Sequence, residues 1–154
     1  MTFRIVVGAD SAGFEYKEAL KRHLEEDERV GQVVDVGVTS DEDTDYPHIA
    51  VAAARMVAAG EADRALLVCG TGLGVAIAAN KVLGVRAVTA HDAYSVERSV
   101  LSNNAQVLTF GARVIGLEVA RKLTSEWLGH VFDEESRSAE KVAAIGQYEE
   151  PDAP

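Results

Sequence analysis

The stretch Leu66-Leu67-Val68-Cys69-Gly70-Thr71-Gly72-Leu73-Gly74, continued by Val75-Ala76-Ile77-Ala78-Ala79-Asn80-Lys81, decides the fold of this chain. Its apolar first part is typical of a central parallel strand, and the small apolar residues after the glycines predict a helix packed on the sheet. The glycines let the backbone turn tightly and bring amide N–H groups against a ligand, at the positive end of the helix dipole. This segment therefore predicts a site for an anionic oxygen.

Cys69 stands between the predicted strand and the glycine loop, and it is the single cysteine of the chain. A helix start favours the thiolate form of a neighbouring cysteine, which supplies a base at neutral pH. A base beside an oxyanion cradle is the arrangement that enolisation needs. The alternative is that Cys69 is a small core residue, the usual role of a buried free cysteine. The glycine context favours the chemical role.

Length and charge limit the classes of protein that this chain can belong to. With 154 residues and 47% hydrophobic residues we expect one domain over residues 1–148, followed by an acidic, unstructured tail over 149–154. The net charge of −10 argues against nucleic acid or an anionic membrane as partner, because both require clustered Lys and Arg. We see no membrane span and no signal-peptide pattern, and a lone cysteine suits a reducing compartment, so we expect a cytoplasmic protein.

Strand and helix patterns alternate regularly along the chain. The predicted strands cover residues 4–8, 32–37, 65–69, 85–90 and 106–110, and the predicted helices lie around 16–24, 47–59, 73–81, 93–101, 119–127 and 138–145. This alternation predicts a five-stranded parallel sheet with helices on both faces. In such sheets ligands bind at the carboxyl ends of the strands, beside a topological switch point.

Three segments with chemically useful side chains end at that edge: Asp10-Ser11, the loop after Cys69, and His91-Asp92. Asp10 is equally well explained as the cap of the first helix. Two cations, Arg137 and Lys141, are four residues apart, which predicts that they share a helix face. The two cations are either part of a solvated helix face or a binding site for a phosphate group.

Other kinds of site are not indicated. The G-x-G-x-G spacing lacks the third glycine position of a dinucleotide fingerprint, and it follows the third strand and not the first. None of the four histidines pairs with another at the spacing of metal ligands. We therefore expect neither a cofactor nor a metal.

Five segments together resemble the ribose-5-phosphate isomerase B and galactose-6-phosphate isomerase family. They are Gly8-Ala9-Asp10-Ser11-Ala12-Gly13-Phe14, Asp45-Tyr46-Pro47-His48, the run from Cys69 to Lys81, Gly84-Val85-Arg86-Ala87-Val88, and Phe110-Gly111-Ala112-Arg113-Val114-Ile115-Gly116. The resemblance covers roughly residues 4–146. It implies a Rossmann-like, three-layer α/β/α domain with strand order 2-1-3-5-4, and interconversion of aldose and ketose phosphates without metal or cofactor. It also implies a homodimer, or a tetramer, with the active site between subunits.

The resemblance assigns a role to particular positions. It implies that Cys69 is the base that moves a proton between C1 and C2, and that the Thr71 hydroxyl assists. The amides of Gly70, Gly72 and Gly74 would hold the enediolate. The remaining implied residues are Asp10 in catalysis, Ser11, Tyr46, Ser102 and Asn103 on the substrate, and Arg113, Arg137 and Lys141 on the phosphate. Lys141 replaces the arginine usual in the family, so the phosphate contact at this position lacks the paired hydrogen bonds that a guanidinium donates.

Two departures from the family pattern bear on the substrate. Ser11 and Ser102 stand where the family carries histidine, and the second of these histidines is the group thought to open the furanose ring. A serine hydroxyl cannot replace an imidazole as acid–base catalyst near neutral pH. A tetrose 4-phosphate needs no ring opening, because its O4 carries the phosphate and closure through O3 would give a strained four-membered ring.

The segments around positions 10, 102 and 113 are also similar to D-erythrulose-4-phosphate isomerases, so D-erythrulose 4-phosphate is the leading substrate. One alternative is ribose 5-phosphate, with spontaneous ring opening or with another residue, such as His91, transferring the protons. The other is a sugar-phosphate or nucleotide-binding module without catalysis, in which Cys69 only packs.

Overall fold

The computed structural model describes residues 1–149 of the chain. Its elements, in chain order, are β1 (Phe3–Ala9), α1 (Phe14–Glu25), β2 (Val30–Asp35), α2 (Tyr46–Ala58), β3 (Arg64–Cys69), α3 (Leu73–Ala79), β4 (Ala87–Thr89), α4 (Ala93–Leu101), β5 (Val107–Gly111), α5 (Leu117–Leu128) and α6 (Ala139–Gln147). The five strands form one parallel sheet in the order β2-β1-β3-β5-β4. The predicted α/β fold class and the implied strand order are both confirmed.

The core divides between the two faces of the sheet because side chains alternate along each strand. On one face Leu66 and Val68 of β3 pack with residues of α1, α4 and α5. On the other face Leu67 and Cys69 pack against the small side chains of α2 and α3. All six residues of β3 are buried, as expected of a central strand covered on both faces. The alternation therefore directs Cys69 towards α2 and α3.

Most elements lie within two residues of their predicted bounds, and the differences at the two edge strands have a visible cause or partner. The second strand spans Val30–Asp35, although the pattern predicts residues 32–37. Gly37 has a positive φ of 107° and lies outside the regular ladder, but its carbonyl still accepts the N–H of Ala9. The edge strand β4 covers only Ala87–Thr89, although the apolar pattern predicts residues 85–90. The N–H of Arg86 donates to the side-chain amide oxygen of Gln106, so the β4 ladder begins one residue later.

The prediction that Arg137 and Lys141 share a helix face is wrong. The last helix begins at Ala139, so Arg137 lies in the preceding turn and only Lys141 is helical. The turn is closed by the N–H of Ala139, which donates to the carbonyl of Ser136. The two cations nevertheless line one surface cleft.

A buried arginine holds the end of α5 against the sheet. Arg64 donates from Nη1 to the carbonyl of Trp127 at 2.7 Å and from Nη2 to the carbonyl of His130 at 2.5 Å. Its guanidinium also lies over the rings of Phe3 and Trp127. Burial lowers the pKa of Arg64 to about 10 against a smaller opposing effect of Asp63, so the group stays charged at neutral pH. Arg64 thereby supplies a charged donor to two carbonyls at and just beyond the end of α5.

The end of the described chain contacts the body of the protein. The carboxylate of Glu149 accepts the N–H of Gly84 at 2.9 Å and 3.1 Å. The rest of the predicted acidic tail, residues 150–154, lies outside the described residues. Within residues 1–149, no helix has the length and apolar character required to cross a membrane.

Candidate active site

A cleft of about 430 Å³ opens at the carboxyl edge of the sheet, beside the ends of β1, β3 and β5. The chain leaves β1 towards β2 and leaves β3 towards β4 and β5, so the cleft lies at the topological switch point where ligands bind in this fold. The residues that line it are Asp10, Ser11, Ala12, Tyr46, Cys69, Gly70, Thr71, Gly74 and Arg113. The structure therefore brings together most of the site residues expected from the sequence.

Cys69 lies at the floor of this cleft and is only 5% exposed. Its Sγ accepts a hydrogen bond from the backbone N–H of Gly72 at 3.1 Å. The Gly72 amide is thus a hydrogen-bond donor aimed directly at the sulfur, and such bonds are stronger where the acceptor is charged. Thr71 lies beside it at the exposed rim, where its Oγ1 accepts the N–H of Leu73 at 3.3 Å.

The shape of the loop depends on two glycines in direct contact with neighbouring backbone. Gly72 has φ of 78°, and a Cβ at this position would lie 2.8 Å from the carbonyl carbon of Phe110. A Cβ on Gly111 would lie 2.5 Å from the carbonyl carbon of Thr71. The loop after β3 and the end of β5 therefore approach closely enough to exclude any side chain between them.

Two threonines beneath this loop were not identified from the sequence. The hydroxyls of Thr89 on β4 and Thr109 on β5 both lie within hydrogen-bond distance of the carbonyl oxygen of Gly72. The available signal was a polar residue inside the apolar run Val107-Leu108-Thr109-Phe110. A buried hydroxyl requires a partner, and here the partner is the loop that bears the thiol.

Arg113 is positioned over the glycine loop by backbone hydrogen bonds. The N–H of Ala112 donates to the carbonyl of Cys69, and the N–H of Arg113 donates to the carbonyl of Gly70, each at 2.9 Å. A Cβ on Gly70 would lie 3.1 Å from Nη1 of Arg113, so the guanidinium packs directly on the glycine. The cleft thus has a positive charge although the chain as a whole is acidic.

Asp10 and Tyr46 form the opposite side of the cleft. Oδ1 of Asp10 accepts the N–H of Gly13, the residue before α1, at 3.1 Å. The interpretation of Asp10 as the cap of the first helix is wrong, because the N-cap of α1 is Gly13. The carboxylate closes the turn before the helix and lines the cleft. The ring of Tyr46 packs against Gly74, where a Cβ would lie 2.5 Å from Cε2 of the tyrosine.

Five of the expected residues do not line this cleft. Gly72 is buried within the loop and contacts the sulfur of Cys69, and the other four lie elsewhere. Asn103 lines a smaller cleft of about 250 Å³ with Arg98, and Arg137 and Lys141 line another of about 420 Å³. The hydroxyl of Ser102 accepts Nε–H and Nη2–H of Arg98 at 2.8 Å and 2.7 Å. A single chain therefore distributes the expected site over three surfaces.

His91 and Asp92, at the end of β4, have structural partners. Nε2 of His91 accepts the N–H of Gly111 at 2.9 Å, which requires the neutral ring with its proton on Nδ1. Burial lowers the pKa of His91 below its ordinary value, against a smaller opposing effect of Asp92. The carboxylate of Asp92 accepts the N–H of Ser95 and caps α4, and this contact lowers its pKa. Neither residue lines the cleft of Cys69.

Comparisons with known proteins agree with this geometry. The model of the Ribose/Galactose Isomerase family matches residues 5–145. D-erythrulose-4-phosphate isomerase 2 of Mycolicibacterium smegmatis is 67% identical over 150 residues, covering 97% of this chain and 99% of the relative. Ribose-5-phosphate isomerase B of Escherichia coli is 44% identical over 147 residues, covering 96% and 97%. The solved structure of type B ribose 5-phosphate isomerase from Trypanosoma cruzi matches with a TM-score of 0.91 at 36% identity, covering 97% of each chain.

These matches and the fold define an enzyme of the sugar-phosphate isomerase class. The chain belongs to the ribose/galactose isomerase family. The resemblance inferred from the sequence motifs is thus confirmed.

The contact between the loop and β5 gives a testable prediction for stability. Gly72→Ala introduces a side chain at positive φ and also against the backbone of Phe110, whereas Gly60, with φ of 74°, has open space around a Cβ. We expect Gly60→Ala to lower the free energy of unfolding by about 1–2 kcal/mol, the cost of the left-handed conformation alone. Gly72→Ala should cost about 1–3 kcal/mol more because of the steric overlap. Urea unfolding of both variants measures this difference, and equal losses would contradict the close approach.

Proposed function

We propose that this protein interconverts D-erythrulose 4-phosphate and D-erythrose 4-phosphate through an enediolate. The observation that carries the reaction type is the sulfur of Cys69, which accepts the Gly72 amide at the floor of the cleft. The Mycolicibacterium smegmatis relative, which is named for this substrate and is 67% identical, supports the choice of sugar.

In the proposed mechanism Cys69 acts as the base. Its thiolate takes a proton from C1 of the ketose to leave an enediolate, and the same proton returns to C2 to give the aldose. A proton also moves from O1 to O2, and the Thr71 hydroxyl assists this transfer. The amides of Gly70 and Gly74 stabilise the oxyanion, as donors prearranged around developing charge do. The Gly72 amide, which was expected to join them, donates to the sulfur of Cys69 instead. The proposed reaction uses no metal or organic cofactor, because these groups supply both the base and the electrostatic stabilisation.

The other cleft residues orient the sugar. Asp10 is proposed to act with Cys69 in catalysis through its carboxylate at the cleft wall, with Ser11 and Tyr46 contacting substrate hydroxyls. Its oxygen bound to Gly13 fixes the carboxylate before substrate arrives. Such preorganisation reduces the entropy lost on reaching the reactive geometry.

The hydrogen bonds of the Ser102 hydroxyl support a substrate that has no ring. Its hydroxyl oxygen already accepts two N–H groups of Arg98, so the hydroxyl can only donate to a ligand. Opening a furanose ring requires a group that both accepts and donates protons near neutral pH, which this serine does not provide. A tetrose 4-phosphate has no ring to open, and Ser102 and Asn103 then need only bind its oxygens.

Ribose 5-phosphate is the second candidate. It is favoured by the relative from Escherichia coli, which is named a ribose-5-phosphate isomerase and is 44% identical over 96% of this chain. Against this candidate, Nε2 of His91 already accepts the N–H of Gly111 and is not free to take a proton from the sugar.

We expect kcat/KM for D-erythrulose 4-phosphate to exceed that for ribose 5-phosphate by at least about tenfold, or roughly 1.4 kcal/mol of transition-state stabilisation. The measurement is a panel assay of tetrose, pentose and hexose phosphates with the purified protein. A preference for the pentose would make ribose 5-phosphate the substrate.

Ser102→His tests the reason for that preference. An imidazole at position 102 should raise activity on ribose 5-phosphate several-fold, because proton transfer contributes up to about 10²–10⁴ where it limits the rate. It should leave activity on the tetrose nearly unchanged, since no ring-opening step exists there. Ser102→Ala serves as the control. An equal gain on both sugars would show that position 102 does not act on ring opening.

Cys69→Ala should lower kcat by about 10²–10⁴, the usual contribution of a positioned proton-transfer group, while the protein stays folded and binds sugar phosphate. Cys69→Ser should be nearly as damaging, because a hydroxyl is far less acidic than a thiol. Steady-state kinetics on the preferred sugar and calorimetric binding measure the two effects. Turnover within a few-fold of the parent would remove Cys69 as the base.

We further propose a homodimer in which two chains complete each active site. Its support is the division of the expected site over three surfaces of one chain. Leu73 and Ile77 lie one turn apart on α3, next to the cleft, and are 57% and 64% exposed. A second copy of the chain can cover this apolar area. A base that must remain reduced also suits the cytoplasm as the location.

The phosphate site is the part of the proposal that most needs the second chain. Arg113 is the one cation that lines the cleft of Cys69 within residues 1–149. Arg137 and Lys141 line a separate cleft beside Glu135 and Glu140. In the proposed dimer these two cations reach the phosphate held by the partner's loop, with Arg137 providing the bidentate contact.

Subunit complementation tests this sharing. Cys69→Ala and Arg137→Ala should each be nearly inactive alone, but hybrids co-expressed from both should recover roughly a quarter of parental activity, since one site in four is then intact in a symmetric dimer. The matched control pairs Cys69→Ala with Asp10→Asn, two residues of one cleft, and should recover nothing. Recovery in the control, or none in the first pair, would contradict a shared site.

A further inference from the structure

Two threonine hydroxyls lie directly beneath the loop that bears the thiol. Thr109 on β5 is fully buried, and Thr89 on β4 is partly buried. Their Oγ1 atoms lie 2.7 Å and 2.9 Å from the carbonyl oxygen of Gly72 and 2.8 Å from each other. Three polar oxygens therefore meet at one point inside the protein.

These three contacts share only two protons, because each hydroxyl carries one. In one arrangement both threonines donate to the carbonyl. In the other, one threonine donates to its neighbour, which in turn donates to the carbonyl. In both arrangements the oxygen of Gly72 receives at least one O–H, so the two residues are partly redundant.

Gly72 connects this group of hydroxyls to the sulfur. The peptide plane that follows its Cα carries the carbonyl bound by the threonines, and the plane that precedes it carries the N–H that donates to Cys69 at 3.1 Å. Gly72 has φ of 78° and ψ of −10°, and glycine by itself allows both angles to vary widely. Fixing the carbonyl therefore restricts the direction in which the N–H points.

We propose that Thr89 and Thr109 are positioning residues that keep the Gly72 amide directed at the catalytic sulfur of Cys69. This inference rests on the proposed role of Cys69 as the base. Neither threonine lines the cleft of Cys69, and both act through Gly72 by maintaining the hydrogen-bond donor of the sulfur.

Isosteric variants test this proposal: Thr89→Val, Thr109→Val and the double variant, which retain the shape of the side chains and remove the protons. Each single variant should keep kcat within about threefold, because one hydroxyl still holds the carbonyl. The double variant should lose about tenfold in kcat, equivalent to one charge-assisted contact, with little change in KM. Restoring one hydroxyl, as Thr89→Val with Thr109→Ser, should recover most of the loss.

The ultraviolet absorbance of the thiolate supplies a readout that does not depend on turnover. Cys69 is the single cysteine, so thiolate absorbance at neutral pH, corrected with Cys69→Ser, reports this sulfur alone. It should fall in the double variant and return with Thr109→Ser. If the wild-type protein isomerises no sugar phosphate, the proposed function fails, whereas this measurement still tests the contact.

Thr124→Val is the matched control for loss of a buried hydroxyl. Thr124 is fully buried on α5, and its Oγ1 donates to the carbonyl of Ala120 at 2.8 Å, on an element that does not line the cleft. It should lose stability in urea unfolding without losing thiolate absorbance or kcat. If the double valine variant does not fold, Thr89→Val with Thr109→Ala replaces it. Unchanged thiolate absorbance in a folded double variant, or the same kinetic loss in Thr124→Val, would overturn the proposal.

Discussion

The contact of backbone with backbone between the loop after β3 and the end of β5 is the constraint on which the rest of the site depends. Gly72 and Gly111 each leave no room for a Cβ against the facing chain. Because β3 and β5 are paired neighbours in the sheet, their carboxyl ends arrive at the same height, and the loop must turn sharply to clear Gly111. That turn requires the positive φ of Gly72, which in turn directs its amide towards Cys69.

The position of Arg113, the cation of the cleft, follows from the same contact between the loop and the end of β5. The backbone hydrogen bonds that join residues 112 and 113 to the loop place Arg113 beside the thiol, in a protein whose net charge is −10. A local cation and a set of backbone amides attract an anionic sugar at short range even though the overall charge repels it. Arg113 thus supplies a local positive charge at the sheet edge, across the cleft from the carboxylate of Asp10, in a chain that is acidic overall.

Patterns within one element were sufficient to predict most of the fold. The helix α4 has the predicted bounds, Ala93–Leu101, because Asp92 caps its start. The short β4 could not be predicted, since its first ladder position is taken by the side chain of Gln106 from a distant part of the chain. The cleft around Cys69 was accessible to sequence reasoning because its residues follow successive strands. Thr89 and Thr109 were not, because the partner of a buried hydroxyl is decided by which strands become neighbours.

The hydrogen bonds between Arg98 and Ser102 make the two positions epistatic. An imidazole at position 102 would stand next to a guanidinium, which disfavours the protonated form that acid catalysis uses and so limits the expected gain of Ser102→His to several-fold. Conversely, loss of Arg98 leaves the hydroxyl oxygen of Ser102 without these two donors, so the hydroxyl can then accept a hydrogen bond from a ligand as well as donate one. The benefit of a substitution at either position therefore depends on the residue at the other. Because Arg98 lies in the last turn of α4 and Ser102 caps the helix, the residue at position 98 determines the charge that any side chain at position 102 faces.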